Sequence, residues 1–399
     1  MAGPLDGVRV IDVSEVISGP LAAMVLADQG ADVIKVEPPR YGEESRQPVN
    51  HRAGMAALYA NCNHGKRSIG IDLKTEEGHA LFLKLVATAD VVIQNWRPGA
   101  AERLRIGEDD LRKVKPDLIY GSITGYGDDG PYADRRGYDP IFQALTGHVA
   151  AQMNPEIPVP DLIRNAVVDK ATALTLAQAI TAALFARERG QAGQHVRVAM
   201  LDVGLAFFWP DGMLRHTLVG DDVSTFVVPG ERYQLTPTKD GQIIYWMGTA
   251  EQMRGGLRAV GRPDLAASDR HRGLASGEEA NVLERAEVMS AGLANLTSAE
   301  AYEALLAEEV PVAPVLEHRD VLRDPQLVHN GAVIEAEHPV YGPYRRAAPA
   351  ARFSGTPTAP GRAPALYGEH TDAILSELGV DEAARTGLRE RGVVPARRE

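Results

Sequence analysis

Asp169 stands at a position that is chemically suggestive. It follows the apolar run Ala166-Val167-Val168 and precedes an alanine-rich stretch of helical composition at 171–187, so its carboxylate is expected at a helix N-terminus. Aspartate is also among the preferred N-cap residues, and the local sequence alone favours a carboxylate that accepts a backbone N–H over one that attacks a substrate. The single cysteine, Cys62, excludes an intrachain disulfide and a cysteine-based metal cage, and reads as a small packed side chain rather than a nucleophile. The 11 histidines include no His-x-x-x-His or His-Glu-x-x-His spacing, so no metal site is expected. In Gly121-Ser122-Ile123-Thr124-Gly125 the serine is misplaced for a Gly-x-Ser-x-Gly elbow and the run reads as strand into loop, which argues against a hydrolase.

The elements around these residues follow a repeating order. Strand-like runs at 8–13, 32–37, 68–72, 90–94 and 118–124 alternate with helical runs at 21–29 and 75–87, the pattern of a parallel α/β sheet with crossover helices. The turn after the first strand, Ser14-Glu15-Val16-Ile17-Ser18-Gly19-Pro20, has one glycine and no Gly-x-Gly-x-x-Gly. A dinucleotide pyrophosphate would lack its close backbone approach there, so a nicotinamide or flavin enzyme is not expected. Helix 171–187 leads through Gly190-Gln191-Ala192-Gly193-Gln194 to a strand-like run at 195–202. From about Leu205 the character changes: Phe207-Phe208-Trp209-Pro210, a loop-like stretch at 219–232, a turn at 238–241, a strand at 242–247 and a helical region at 250–309 closed by Pro311-Val312-Ala313-Pro314. This is read as a smaller domain over 205–324, between a large domain at 1–204 and a last segment at 325–399 with a polar helical tail at 369–391. Phe207, Phe208 and Trp209 are expected in a domain-junction core in preference to an acceptor pocket.

With 44% hydrophobic and 6% aromatic residues in 399, the composition is that of an ordinary globular protein. The N-terminus shows no basic segment followed by an apolar core, and no stretch reads as a span of about 18 apolar residues, so a cytoplasmic protein without membrane contact is expected. A formal net charge of −12 argues against nucleic-acid binding and makes recognition of an anion depend on local basic groups. Lys66, Arg67, Lys74, Arg97, Arg103, Arg105 and Arg136 are the candidates, against the ordinary reading of each as solvated surface charge.

Four blocks in unchanged order carry a family resemblance. They are Gly19-Pro20-Leu21-Ala22 through 26–37; Asn63-His64-Gly65-Lys66-Arg67-Ser68 with Asp72-Leu73-Lys74; Asn95-Trp96-Arg97-Pro98-Gly99; and 165–169 with the helix, turn and strand that follow. Between about Leu5 and Thr356 the chain resembles the class III CoA-transferases, the CaiB/BaiF family, which includes formyl-CoA transferases and 2-methylacyl-CoA racemases. The resemblance implies a Rossmann-like large domain built from both chain ends, a smaller α+β domain, and two subunits interlocked like links of a chain. It also implies an enzyme that uses coenzyme A thioesters as substrates, with no separate cofactor or metal.

Transfer of CoA between acids needs a group that holds first the acyl part and then the CoA, and a carboxylate suits this. The resemblance makes Asp169 that nucleophile, forming an aspartyl-acyl anhydride and then an aspartyl-CoA thioester. Its carboxyl, near 3.9 in reference peptides, is expected to be ionised, with the helix N-terminus favouring that state further. In the family, Val16-Ile17-Ser18 lie beside the thioester end of CoA, and Ile71, Asp72, Leu73, Lys74, Asn95 and Trp96 along the nucleotide. Trp96 would stack on adenine, Arg103 would pair with a phosphate, Arg97 and Leu104 flank them, and Arg136 and Tyr138 stand near the CoA. Two departures bear on substrate. Formyl-CoA transferases have glutamine where Ile17 stands and a tetraglycine loop where this chain has Val228-Pro229-Gly230-Glu231-Arg232-Tyr233, which argues against oxalate-formate exchange. The racemases use a histidine where this chain has Tyr138, whose phenol, near 10 in reference peptides, is a poor proton-transfer partner near neutrality. Racemisation is the alternative activity, and an inert CoA-binding subunit with Asp169 as a mere cap is the non-enzymatic one.

Overall fold

A computed structural model describes residues 3–47, 50–152, 161–223, 233–268, 279–357 and 361–396. Short runs rich in valine and isoleucine form six parallel strands: β1 (Arg9–Asp12), β2 (Asp32–Glu37), β3 (Arg67–Gly70), β4 (Val91–Gln94), β5 (Ile119–Thr124) and β6 (His195–Ala199). Their order is β3-β2-β1-β4-β5-β6. That is the order of doubly wound dinucleotide-binding folds, in which the chain reverses direction across the sheet between β1 and β4.

Side-chain alternation divides the strands between two apolar layers. Val10, Val33, Val91 and Ile93 pack with Ala22 and Leu26 of α1 (Ser18–Asp28) and with Leu176 and Ile180 of α5 (Val167–Glu188). Their neighbours Ile11, Ile34 and Val92 face Phe82 and Leu85 of α3 (Glu76–Val86) and Ile374 and Leu375 of α10 (Thr371–Glu377). Thr75 caps α3 by accepting the Gly78 N–H at 3.0 Å, which sets its start. The C-terminal segment is tied to this layer by backbone bonds, His370 N–H to Ser68 O at 3.0 Å and Asp72 N–H to Val393 O at 2.9 Å. The remaining helices used below are α2 (Ala57–Asn63), α4 (Asp139–Leu145) and α6 (Met200–Gly212).

The chain forms two compact units, Met1–Ser224 with Gly331–Glu399, and Thr225–Asn330. Within the smaller unit, β8 (Gln242–Tyr245) pairs antiparallel with β7 (Thr236–Pro237) and β9 (Val312–Pro314). Helices α7 (Ala250–Ala259) and α9 (Ser298–Ala307) both start on complete capping boxes, and α8 (Glu279–Leu293) supplies Met289 and Leu293 to a core shared with Ile243 and Leu305. In the larger unit, β10 (Val333–His338) and β11 (Gly342–Ala347) form a hairpin.

Three expectations change. The strand read over 195–202 ends at Ala199 and Met200 opens α6, which carries Phe207-Phe208-Trp209 with Pro210 inside it. Since α6 packs on α4 and α5, residues 205–223 belong with the large unit, and the division falls at Thr225 and Asn330 instead of 205 and 324. Finally, α5 is long and apolar enough to cross a membrane, although the sequence reading found no such stretch. Half of its apolar window is buried inside the chain as the central helix of one layer.

At the C-terminal edge of the sheet lies a buried ionic network. Lys66 Nζ donates to Asp12 Oδ2 (2.7 Å), Pro20 O (2.7 Å) and Asn63 Oδ1 (2.6 Å). Lys35 Nζ lies 3.4 Å from Asp12 and 3.3 Å from Glu43, and donates to Ser14 O. Arg46 clasps Glu37 through two bonds, 2.6 and 2.8 Å, with its guanidinium 3.5 Å above the Tyr59 ring. Burial pushes the Asp12 carboxyl up, but the ammonium groups of Lys35 and Lys66 outweigh it and hold the group at about 2. Breaking such a network from one side leaves a desolvated charge. Lys66→Ala is therefore expected to lower stability by on the order of 3 kcal/mol; a urea midpoint equal to that of the wild type would contradict this.

Candidate active site

The site is built where the strand order reverses. The turn after β1 and the turn after β4 meet there, and Asn95 joins them: its Oδ1 accepts the Glu15 N–H at 2.8 Å and its Nδ2 donates to Glu15 O at 2.7 Å. One residue on, Val16 is left-handed at φ 70°. A β-branched residue resists that conformation, and it persists only where the surroundings over-determine it. Here Glu43 Oε2 accepts the Val16 N–H at 3.1 Å, and Glu43 is itself held by Lys35. Gly19 is required next to this turn, since a Cβ there would lie 2.3 Å from the Ser14 Cβ. The result is an α1 that begins at Ser18, whose buried hydroxyl lowers the Asp169 carboxyl.

Asp169 stands in the first turn of α5 but does not cap it. The N-cap position is Ala166, and the capping oxygen comes from a residue 30 positions earlier: Asp139 Oδ2 accepts the N–H groups of Val168 (2.7 Å) and Asp169 (3.0 Å). This overturns the local reading, because the Asp169 carboxylate is left free of its own helix. The expected further lowering of the Asp169 carboxyl by the helix N-terminus is corrected. Burial and the facing Asp139 carboxylate outweigh the Ser18 hydroxyl and Lys170, and the Asp169 carboxyl is pushed up to about 6. The helix N-terminus does not depress it, because Asp139 already occupies those N–H groups. Nothing in the sequence marks Asp139 for this role: preceding Pro140 at the start of α4, it looks like part of its own helix start.

Other site candidates fall on the same edge. Ile71, Asp72, Leu73 and Lys74 follow β3; the Ile71 N–H donates to Glu37 O at 3.0 Å, and Asp72 Oδ1 accepts the Lys74 N–H at 3.0 Å. Leu73, Trp96 and Leu104 pack half-buried against one apolar cluster, which brings the segments after β3 and β4 together. Trp96 is fixed further by its N–H bond to Gln94 Oε1 at 2.6 Å. Ile17 is half-buried beside Ser18, and Tyr138 is exposed at the start of α4. Among the basic candidates, Lys74, Arg97, Arg103 and Arg136 are exposed and without an ion pair among the described residues. Lys66 is consumed by the buried network, Arg67 by Asp32 and Glu377, and Arg105 by Glu76, so these three are not available to an anion.

Several side chains do not join the site. Cys62 is buried and its thiol is pushed up to about 11, chiefly by burial, which leaves it unreactive. Phe207 and Trp209 are 58% and 41% exposed, so neither is a core residue. Residues 228–232, part of the loop on which the sequence reading argued against oxalate-formate exchange, lie outside the described residues. Ser122, His195 and Glu108 are linked by two 2.7 Å contacts in the manner of a hydrolytic triad. Ser122, however, is buried in mid-strand with ladder partners on both sides, and it lacks the exposed elbow that a nucleophilic serine needs. A cavity of about 430 Å³ opens at the opposite edge of the sheet, where β1, β2 and β3 begin, but its Arg9 and Arg67 are paired with Asp32 and Glu377.

Known proteins are similar to this chain over most of their length. The sequence pattern of CoA-transferase family III matches residues 5–371. The succinate–glutarate CoA-transferase of Agrobacterium fabrum is 34% identical, covering 96% of this chain and 98% of its own. Human succinyl-CoA:glutarate CoA-transferase is 31% identical over 98% of this chain and 90% of its own. The crystal structure of Rv3272 from Mycobacterium tuberculosis superposes with a TM-score of 0.80 at 32% identity, covering 94% of this chain and 99% of that one.

Titration of the Asp169 carboxyl carbon by NMR is expected to give a midpoint near 6. In Ser18→Ala the midpoint should rise, since a hydrogen bond to the ionised form is lost. A downward or absent shift would show that Ser18 does not donate to this carboxylate.

Proposed function

This chain belongs to CoA-transferase family III and is a class III CoA-transferase, and from that premise we propose that it moves coenzyme A from an acyl-CoA thioester to a carboxylic acid through covalent intermediates on Asp169. The observation that carries this reading is the free carboxylate in the first turn of α5, capped by Asp139 and met by the Ser18 hydroxyl at the sheet's reversal point. Asp169 attacks the thioester carbonyl and CoA leaves as thiolate. The thiolate attacks the aspartyl carbonyl of the anhydride, the donor acid leaves, and an aspartyl-CoA thioester remains. An acceptor carboxylate then runs the two steps in reverse. A carboxyl near 6 remains ~90% ionised at pH 7, and is more basic than an ordinary aspartate.

The CoA chain is proposed to lie over the segments after β3 and β4, with Ile71–Lys74, Asn95, Trp96, Arg97, Arg103 and Leu104 along the nucleotide and Arg136 and Tyr138 near the acyl end. The exposure of Lys74, Arg97, Arg103 and Arg136 supports this, because unpaired cations on one edge suit phosphates. The half-buried aliphatic Ile17 beside Ser18 offers no hydrogen bond to a small polar acyl group and supports an acyl part larger than formyl.

A homodimer, interlocked as the family resemblance implies, completes the proposal. Helix α5 is apolar on more of its surface than the chain itself covers, with Leu174 and Phe185 exposed, and the adjoining α4 and α6 expose Ile141, Leu145, Phe207 and Trp209. A helix apolar on all sides is ordinarily buried, and a second copy of the chain is the occupant proposed for this face. Sedimentation equilibrium is expected to return twice the chain mass; a monomer at micromolar concentration would contradict this part of the proposal.

Asp169→Ala is expected to abolish exchange while CoA binding persists, and mass spectrometry of wild-type enzyme quenched with an acyl-CoA should find the adduct on Asp169. In the wild type kcat/KM should fall about tenfold per pH unit below about 6, as the nucleophile takes up a proton. Turnover retained by Asp169→Ala would refute the assignment.

A further inference from the structure

We propose that Asp139 is a positioning residue for the reaction at Asp169: it takes the cap of α5 in place of Asp169, and its buried negative charge favours the acylated states of Asp169 over the resting carboxylate. This rests on the reading of Asp169 as the nucleophile.

The geometry makes Asp139 the hub of the helix start. Its Oδ2 accepts the two N–H groups of Val168 and Asp169, and its other oxygen accepts from Gln143 Nε2. Gln143 in turn ties down the segment leading into α5, donating to Ile163 O (3.1 Å) and Asn165 O (3.2 Å) and accepting the Ile163 N–H (2.9 Å). Asp139 is 5% exposed and has no ion pair among the described residues. The N-terminal dipole of α5 and hydrogen bonds favour its charge, and the nearby His148 interacts with it electrostatically. Two carboxylates therefore share one helix N-terminus, and only one of them is satisfied by it.

The groups that face Asp169 come from four helices. Asp139 of α4 raises it. The Ser18 hydroxyl of α1 and the adjacent Lys170 of α5 lower it, and Lys170 also donates to Asn165 Oδ1. The Cys62 thiol of α2 interacts with it electrostatically. Of these, Asp139 is the one like charge. Repulsion between two close carboxylates disfavours the state in which both are ionised.

The reaction removes that repulsion. When an Asp169 oxygen bonds to the thioester carbonyl carbon, the carbon–sulfur bond breaks and its electron pair leaves with sulfur, so the negative charge moves from the Asp169 carboxylate to CoA. When the thiolate then attacks the aspartyl carbonyl, the anhydride carbon–oxygen bond breaks and the charge leaves on the released acid. Asp169 is neutral in both intermediates. The destabilising contact exists only in the resting enzyme, and interactions worse in the ground state than in later states lower the barrier out of it.

Asp139→Asn removes the charge and keeps an oxygen able to accept both N–H groups. The acid limb of kcat/KM is expected to move down by roughly half a unit to one unit, and the fraction of enzyme trapped as an adduct at residue 169 to fall roughly tenfold. Asp139→Glu, which keeps the charge, should restore part of both. Should the asparagine variant fail to fold, Asp139→Ser offers a second uncharged cap for the same two measurements. A folded uncharged variant with the wild-type limb and adduct fraction would show that Asp139 only caps the helix and would overturn the proposal. Absence of any adduct at residue 169 in the wild type would instead overturn the nucleophile reading beneath it.

Discussion

Charge held without water beneath the turn after β1 is the constraint on which the rest of the site depends. Asp12, Lys35, Lys66 and Glu43 are almost wholly buried, and each is satisfied only if the others stay in place. Buried ion pairs are weak stabilisers, because desolvation consumes most of the attraction, but they tolerate few alternative arrangements. Here the arrangement fixes backbone. Lys35 holds the Ser14 carbonyl, Glu43 holds the Val16 N–H, and Lys66 holds the Pro20 carbonyl inside α1. A left-handed valine and the first turn of α1 are the consequence, and Ser18 is delivered to Asp169. The ions act at one remove from the chemistry by leaving the turn with a single conformation.

The same constraint explains how a dinucleotide-type strand order works without a dinucleotide signature. In that fold the first turn is rich in glycine so that a pyrophosphate can approach the backbone. In this chain the equivalent turn carries Val16, Ile17 and Pro20, and its backbone N–H groups are partly spent on Asn95 and Glu43. Close approach of a diphosphate is sterically refused. Under the proposed function the crevice receives the thioester end of CoA, and the phosphates lie farther along the edge, where Lys74, Arg97 and Arg103 are exposed.

The sheet was legible in the sequence because its strands are short apolar runs separated by helices with clear starts. The strand at Asp32–Glu37 and the helix Glu76–Val86 fall where composition puts them. Misreadings arose where local signals compete. Val196 to Leu201 alternates like a strand, yet α6 begins at Met200, because packing against α4 and α5 decides where pairing stops. Lys66 and Arg67 read as surface charge, and only the return of distant acids, Asp12 and Glu377, buries them. Phe207 and Trp209 read as core, but both are exposed. Asp169 was singled out through family likeness; its raised carboxyl was not foreseen, because burial and a like charge 30 positions away together produce it.

That separation has a chemical logic. A carboxylate used as a nucleophile must be desolvated enough to be reactive and yet remain ionised near neutral pH. A helix N-terminus acting directly on Asp169 would stabilise its charge and blunt it, as it does for an ordinary capping aspartate. Placing Asp139 on the N–H groups of Val168 and Asp169 satisfies the helix with a different charge. Asp169 is left raised by its burial and by a like charge, and lowered by the Ser18 hydroxyl and a solvent-facing lysine beside it. The balance settles near 6, which under the proposed function is high enough to strengthen the nucleophile and low enough to keep it ionised at pH 7. Neither aspartate could supply that balance alone, because one carboxylate cannot both cap the helix and be free of it.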